Sequence, residues 1–460
     1  MATRLADYCL VPPMFLVSSS YAVVAPAISS RKAVDRLPGF TVDEVRFFYY
    51  FIQSERNPEE DPVLLWLTGG PGCSALSGLV YEIGPLSFDF HGYKGGLPTM
   101  LYKPDSWTKV GNIIFVDSPP GTGFSYAIKE QGLNSSDTTI WFDDHPKFFS
   151  NPLYISGDSY SGIIIPTLTM EIIKGIGSSD DRHLNLKGYI AGNPLTDIPN
   201  DDNSRFPFLH GMGIIADELY EAARKSCRGD YNHPENSQCA NLMQTIWDCI
   251  RDVNEVHILE PRCEELESSI IDNFDSHDGR TKLLESAVSS VCRNATYLLS
   301  KIWANNETVR ESLGIHKGTV TTWQRCDYGM HDRYKKEIVN TVDYHLSLIT
   351  QGYRGLIYSG DHDSRISFVG TQGWLRSLNL SITDNWRPWY VNSQVAGFTR
   401  TYSNNLTYAT VKGAGHTAPE YMPKECLAMA TTRENRDGSG SSGGGGEQQS
   451  NTDAAIKSPC

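Results

Sequence analysis

Three short stretches of this chain carry residue types suited to nucleophilic catalysis. In PLYISGDSYSGIIIP (152–166) a β-like run at 153–156 meets Gly157, and residues 162–173 read as a buried helix. This layout predicts that Ser159 stands on a sharp strand-to-helix corner, the position of an exposed nucleophile. Gly157, Ser161 and Gly162 are small enough to allow such a turn, although Ser161 replaces the second glycine of G-x-S-x-G. A surface turn that happens to contain serine is the competing reading. Asp363 ends GDHD (360–363) behind a predicted strand at 354–359, and His416 ends GAGH (413–416) behind another at 406–412. A neutral imidazole can take the Ser159 proton while a carboxylate fixes its tautomer. Order alone leaves Asp361 as a rival acid, and the other eleven histidines, His362 included, read as surface or inserted-segment residues. Thr68-Gly69-Gly70 follows a predicted strand at 63–67. A Gly-Gly there lets a backbone N–H face a cavity, as an oxyanion donor must, with a plain tight turn as the alternative.

These groups need elements to position them. Strands are predicted at 45–52 (VRFFYYFI), 63–67, 112–116 (NIIFV), 153–156, 187–192 (KGYIAG), 354–359 and 406–412, with a short helix around 138–149. Strands alternating with helices imply an α/β fold with a mostly parallel central sheet, in which functional groups collect beyond the strands' carboxyl ends. The chain order Ser159, Asp363, His416 is that of an α/β-hydrolase triad. The loop DSPPGTGFSY (117–126) lacks the Walker lysine and the G-x-G-x-x-G spacing, so it reads as a substrate-cleft loop rather than a phosphate cradle.

Composition bounds the partners. With 460 residues and a formal net charge of −14, the chain is poorly suited to nucleic acid or anionic membranes and better suited to a small neutral or weakly charged substrate. No run reaches the roughly 20 apolar residues of a membrane span. Six of ten cysteines lie between Cys227 and Cys326 without C-x-x-C pairs, which favours disulfides over zinc. No metal or cofactor is implied. Sequons begin at Asn134, Asn294, Asn306, Asn379 and Asn405, as a secretory route would allow. Residues 1–30 are expected to be a signal peptide cleaved between Ala25 and Ser30. The core is then expected at 40–199 and 346–430, interrupted by a helical, cysteine-rich cap at 200–345. A disordered Gly/Ser-rich tail would follow at 431–460.

Taken together, LLWLTGGPGCSALSGLVYEIGP, NIIFVDSPPGTGFSY, NPLYISGDSYSG, GYIAGNPLTD, LIYSGDHD and VKGAGHTAPEY resemble the serine carboxypeptidase family and its plant serine carboxypeptidase-like branch. The resemblance runs from about Phe47 to Met429. It implies Ser159 as nucleophile, Asp363 rather than Asp361 as acid, His416 as base, and the N–H groups of Gly70 and Tyr160 as oxyanion donors. It also implies a Cys73–Cys326 disulfide and secretory or vacuolar residence. Cys227 with Cys239 and Cys263 with Cys292 are the preferred further pairs, leaving Cys249 unassigned. Peptidases of the family hold a substrate's terminal carboxylate with an Asn before the Gly-Gly, a Glu before the nucleophile and a second Glu. Here Thr68, Asp158 and Glu82 occupy those places beside Gly69. The elbow resembles that of members that became acyltransferases, so a small-molecule acyl donor and acceptor are expected. A serine carboxypeptidase acting on peptides is the alternative, and an inactive or misfolded relative the third reading. Relative to the family, the stretch before Val45 and the crossover after Tyr126 are short, and the last family helix is expected to be cut near Ala428.

Overall fold

The computed structural model describes residues 45–127, 145–176, 184–263, 293–330 and 334–434. The expected leader, Asn134, Cys292 and residues 435–460 lie outside them, as does the side chain of Asn294.

A nine-stranded sheet carries the molecule. Its strands, in chain order, are β2 (Tyr49–Ile52), β3 (Val63–Leu67), β6 (Asn112–Val116), β8 (Leu153–Asp158), β9 (Leu186–Gly192), β10 (Arg354–Gly360), β11 (Ile382–Val391), β12 (Gln394–Tyr402) and β13 (Leu406–Val411). Side by side they run β11-β12-β13-β10-β9-β8-β3-β6-β2, and the six from β13 to β6 are mutually parallel. Strands buried on both faces read as continuous apolar runs, and VLLWL of β3 is buried at all five positions. Two small ribbons, β1 (Val45–Arg46) with β7 (Tyr126–Ala127) and β4 (Leu86–Phe88) with β5 (Met100–Tyr102), lie beside it.

The strand predicted at 45–52 is broken. The Phe48 N–H donates to Ser125 Oγ at 2.7 Å instead of to a strand partner, so β1 leaves for β7 while β2 joins the sheet antiparallel to β6. The β11–β12 hairpin was not expected from the sequence. Three register shifts disturb its alternation, and its tight turn places Asn392 and Ser393 at φ 49° and 61°.

Helix α1 (Ser161–Ile176) packs on β8 and β9. Between β9 and β10 come α2 (Ile198–Gly211), α3 (Asp217–Cys227), α4 (Ser237–Ile250), α5 (Leu298–Asn305) and α6 (Glu307–Ser312). Phe206, Phe208, Leu209, Ile246 and Ile250 of α2 and α4 form one apolar cluster, whereas Leu299 and Ala304 of α5 join the apolar cluster of the sheet. A disulfide joins Cys227 at the end of α3 to Cys239 in α4. Cys263 is disulfide-bonded, and Cys249 is free and exposed.

Helices α7 (Val342–Thr350) and α8 (Phe368–Ser377) flank β10, and α9 (Ala418–Tyr421) and α10 (Pro423–Glu434) follow β13. Helix α10 continues past Ala428 to Glu434, with Cys426 and Met429 buried. His345 is likewise no surface residue. It is fully buried in α7, its Nδ1 lies 2.9 Å from Tyr189 Oη, and burial pushes its pKa down to about 3.

Candidate active site

The elbow is built by backbone contacts. Ser159 adopts φ 55°, a conformation costly for a residue with a Cβ. The turn holds because Ser159 N donates to Gly192 O at 2.9 Å and Leu195 N donates to Ser159 O at 2.9 Å, pinning the corner to the end of β9. Gly69 must be glycine for a further reason: a Cβ there would stand 2.5 Å from Ser159 Cβ and 2.9 Å from Tyr160 N. The Gly-rich loop can therefore lie directly against the elbow.

His416 Nε2 lies 2.7 Å from Ser159 Oγ, and His416 Nδ1 lies 2.7 Å from Asp363 Oδ2. With the proton on Nδ1, the ring accepts from the serine hydroxyl and donates to the carboxylate. Burial opposes charge on His416, but the adjacent Asp363 carboxylate and its hydrogen bond outweigh it and raise the imidazole pKa. Asp363 is fully buried and also accepts from Arg365 N (2.7 Å), Ile366 N (3.3 Å) and Asn193 Nδ2 (2.8 Å).

Asp361 stands apart from this chain of bonds. Its Oδ1 accepts from Gly413 N at 2.7 Å and faces His362 Nδ1 at 2.6 Å, so it ties the two loops together without touching His416. Asn193, in GYIAGNPLTD, is a site residue to which the sequence alone assigns no role. Its signal was there: an Asn just past a strand end, able to adopt the φ of 40° found here.

The N–H groups of Gly70 and Tyr160 have no acceptor among the described residues; Tyr160 follows Ser159 in the chain, and Gly69, which precedes Gly70, lies against Ser159 Cβ and Tyr160 N. Such donors suit a developing oxyanion. The loop is braced from below by Asp117, which accepts from Ser74 Oγ (2.6 Å), Ala75 N (2.8 Å) and Phe124 N (2.8 Å). Asp117, at the start of loop 117–126, is thus a buried strut. The Cys73–Cys326 disulfide, with Ser74 N donating to Arg325 O and Asp327 N to Gly72 O, fastens the stretch around Cys326 to the same loop.

Beside the elbow lie three carboxyls. Asp158 Oδ1 accepts from Gly69 N at 3.1 Å, and burial raises its pKa to about 6. Glu82 is buried with Oε2 unpartnered; burial first, then Asp158 and Glu420, push its pKa well up. Glu420 accepts from Tyr297 Oη (2.9 Å) and Thr417 Oγ1 (2.8 Å). Thr68 Oγ1 is buried without a partner. Nearby cations are engaged: Lys103 with the carbonyls of Tyr81 and Glu82, Arg293 with Glu260 at 2.6 Å and with Glu420 at 3.6 Å, and Arg325 over the Tyr297 ring at 4.1 Å.

Of the sequons, Asn379 and Asn405 are exposed at positive φ, whereas Asn306 caps α6 by accepting from Val309 N. Among the described residues, no cluster of His, Cys, Asp or Glu could hold a metal ion, and no helix is long and apolar enough to cross a membrane.

Comparison with known proteins gives the same picture at the level of family and fold. The serine carboxypeptidase family model matches residues 38–433. Serine carboxypeptidase-like 10 of Arabidopsis thaliana is 45% identical over 398 residues, covering 84% of this chain and 86% of the relative. Serine carboxypeptidase-like 1 of the same plant is 46% identical over 399 residues, covering 84% and 85%. The crystal structure of Kex1Δp, a prohormone-processing carboxypeptidase from Saccharomyces cerevisiae, superposes with a TM-score of 0.67 over 88% of this chain and 89% of its own. At 18% identity that likeness speaks for the α/β-hydrolase fold alone. The chain belongs to the serine carboxypeptidase family.

Proposed function

We propose that the protein is an acyltransferase that forms an acyl-enzyme on Ser159 from a neutral glucose ester and passes the acyl group to an alcohol or amine. In this reading His416 accepts the Ser159 proton, Asp363 holds the imidazolium, and the Gly70 and Tyr160 N–H groups receive the oxyanion. The proton then goes to the departing sugar hydroxyl, and the acceptor repeats the sequence in reverse. The linked serine, imidazole and carboxylate favour a working nucleophile over an inactive relative.

One observation carries the choice of donor: the elbow is bordered by the buried carboxyls of Asp158 and Glu82, and the nearby Lys103 and Arg325 offset only part of the effect of burial and of the neighbouring carboxyls on Glu82. A peptide must present its terminal carboxylate to a site that is acidic above about pH 6. An ester of glucose presents only neutral hydroxyls. Thr68 offers a single hydroxyl where an Asn amide would offer two N–H donors.

The peptidase reading has one observation in its favour. Burial keeps Asp158 and Glu82 inclined to hold protons, and protonated carboxyls can donate to a carboxylate at mildly acidic pH. Side-by-side rates on an acyl-glucose with an alcohol acceptor and on a blocked dipeptide separate the two. The acyltransferase reading expects turnover of the ester and, in Thr68→Asn/Asp158→Glu, a rise in peptide cleavage of about one to two orders of magnitude. Efficient dipeptide cleavage by the wild type with the ester ignored would replace it by the carboxypeptidase reading. The disulfides support residence in the secretory route, extracellular or vacuolar.

A further inference from the structure

A cavity of about 320 Å³ lies between α8 and the outer strands of the sheet, and it shares no residue with the triad, the Gly-rich loop or the acidic cluster. Its helical wall is Phe368, Gln372 and Arg376, spaced four residues apart on one stripe of α8. Its floor is a row across three strands. Arg400 of β12 sits directly opposite Tyr408 of β13, Tyr402 lies two residues on from Arg400 and so on the same face, and Trp386 comes from β11.

The chemistry of this lining is one-sided. Two guanidinium groups border it and no carboxylate does. Arg400 is half-buried, its Nε is shielded from water without an acceptor, and its guanidinium lies 5.8 Å from the Trp386 ring. An enclosed N–H donor without an acceptor is left short of the hydrogen bond such atoms usually make. By contrast, Arg387 on the same hairpin is paired with Asp384 at 2.7 Å, so the hairpin does supply acids where a structural ion pair is wanted. Aromatic rings pack around Trp386. Trp386 stacks 6.0 Å from Tyr408 and 5.8 Å from Phe398, with ring planes within 21° and 11°.

We propose that this cavity is a binding site for a small planar aromatic carboxylate, its ring against Trp386, Tyr402 and Tyr408 and its carboxylate on Arg400 and Arg376. A guanidinium fork matches the two oxygens of a carboxylate, and the volume sits at the lower end of the range for small-ligand pockets, enough for one ring and a short acid chain. Gln372 supplies an amide to the same edge. The proposal does not depend on which acyl reaction Ser159 performs.

Calorimetric titration of the full chain with trans-cinnamate tests it. Binding tighter than about 1 mM is expected, weakened at least about tenfold by Arg400→Gln and by Arg376→Gln, with cinnamyl alcohol binding at least about tenfold more weakly than the acid. Arg376 is exposed on the helix, so its variant keeps the test valid where Arg400→Gln fails to fold. No binding by the wild type, or equal affinity in wild type and a folded arginine variant, overturns the proposal.

Discussion

Asn193 donates its amide to Asp363 Oδ2, the same oxygen that lies 2.7 Å from His416 Nδ1. Its other amide atom, Oδ1, accepts from Gly360 N at 3.0 Å, so one side chain ties the ends of β9 and β10 and aims the acid. Asn193→Ala removes a hydrogen bond to a charged group, worth about 1.5 kcal/mol or more, and leaves the substrate-facing surface intact. A fall in kcat of about tenfold or more with KM little changed is expected from steady-state rates. An unchanged kcat would deny Asn193 this positioning role.

His416 must be neutral to accept the serine proton, and its pKa is raised above the ordinary 6.5. As pH falls through that raised value the ring gains a proton, so kcat/KM should decline on the acid side with a midpoint above 6.5. The Asp158 carboxylate contributes to the rise, so Asp158→Asn should move that midpoint down. A pH profile of kcat/KM in both proteins checks the direction; an upward movement would contradict it.

Asp158 has a folded-state pKa of about 6, against an ordinary 3.8. The folded state therefore binds more protons than the unfolded chain between these values, and stability is lost as pH rises through that window. Asp158→Asn keeps an oxygen for Gly69 N and removes the buried charge. Its stability relative to wild type should rise by on the order of 2–3 kcal/mol above pH 7, with the gap closing below about pH 4. Denaturant unfolding at pH 4 and pH 8 shows it; a gap that is the same at both pH values would refute the buried charge as its cause.

The Cys73–Cys326 disulfide closes a sequence separation of 253 residues beside the Gly-rich loop. Replacing both cysteines with serine should cost about 2–5 kcal/mol of stability and reduce activity more than loss of the Cys227–Cys239 bridge, which joins α3 to α4. Melting temperatures and rates of the two paired variants compare them.

The sequence made the buried part of this fold plain. NIIFV and VLLWL become β6 and β3 with the expected bounds, because strands covered on both faces must be apolar throughout. The β11–β12 hairpin escaped because its bulges break the period-2 alternation and its residues are mostly exposed or half-buried. At the site, Ser159 and Gly69 could be read from local turn chemistry, which is written in neighbouring residues. Asn193 and the choice between Asp361 and Asp363 could not be settled by order, because they depend on how the ends of β9, β10 and β13 meet across the sheet.

The central claim is that Ser159 is loaded from a neutral ester, and the mass of the intact protein tests it most directly. Mixed with an acyl-glucose and quenched in acid before turnover completes, the wild type should gain the mass of one acyl group on the peptide containing Ser159. Ser159→Ala should gain none, and a blocked dipeptide should leave the wild type unloaded. Loading by the dipeptide but not the ester, or equal loading of Ser159→Ala, would contradict the account.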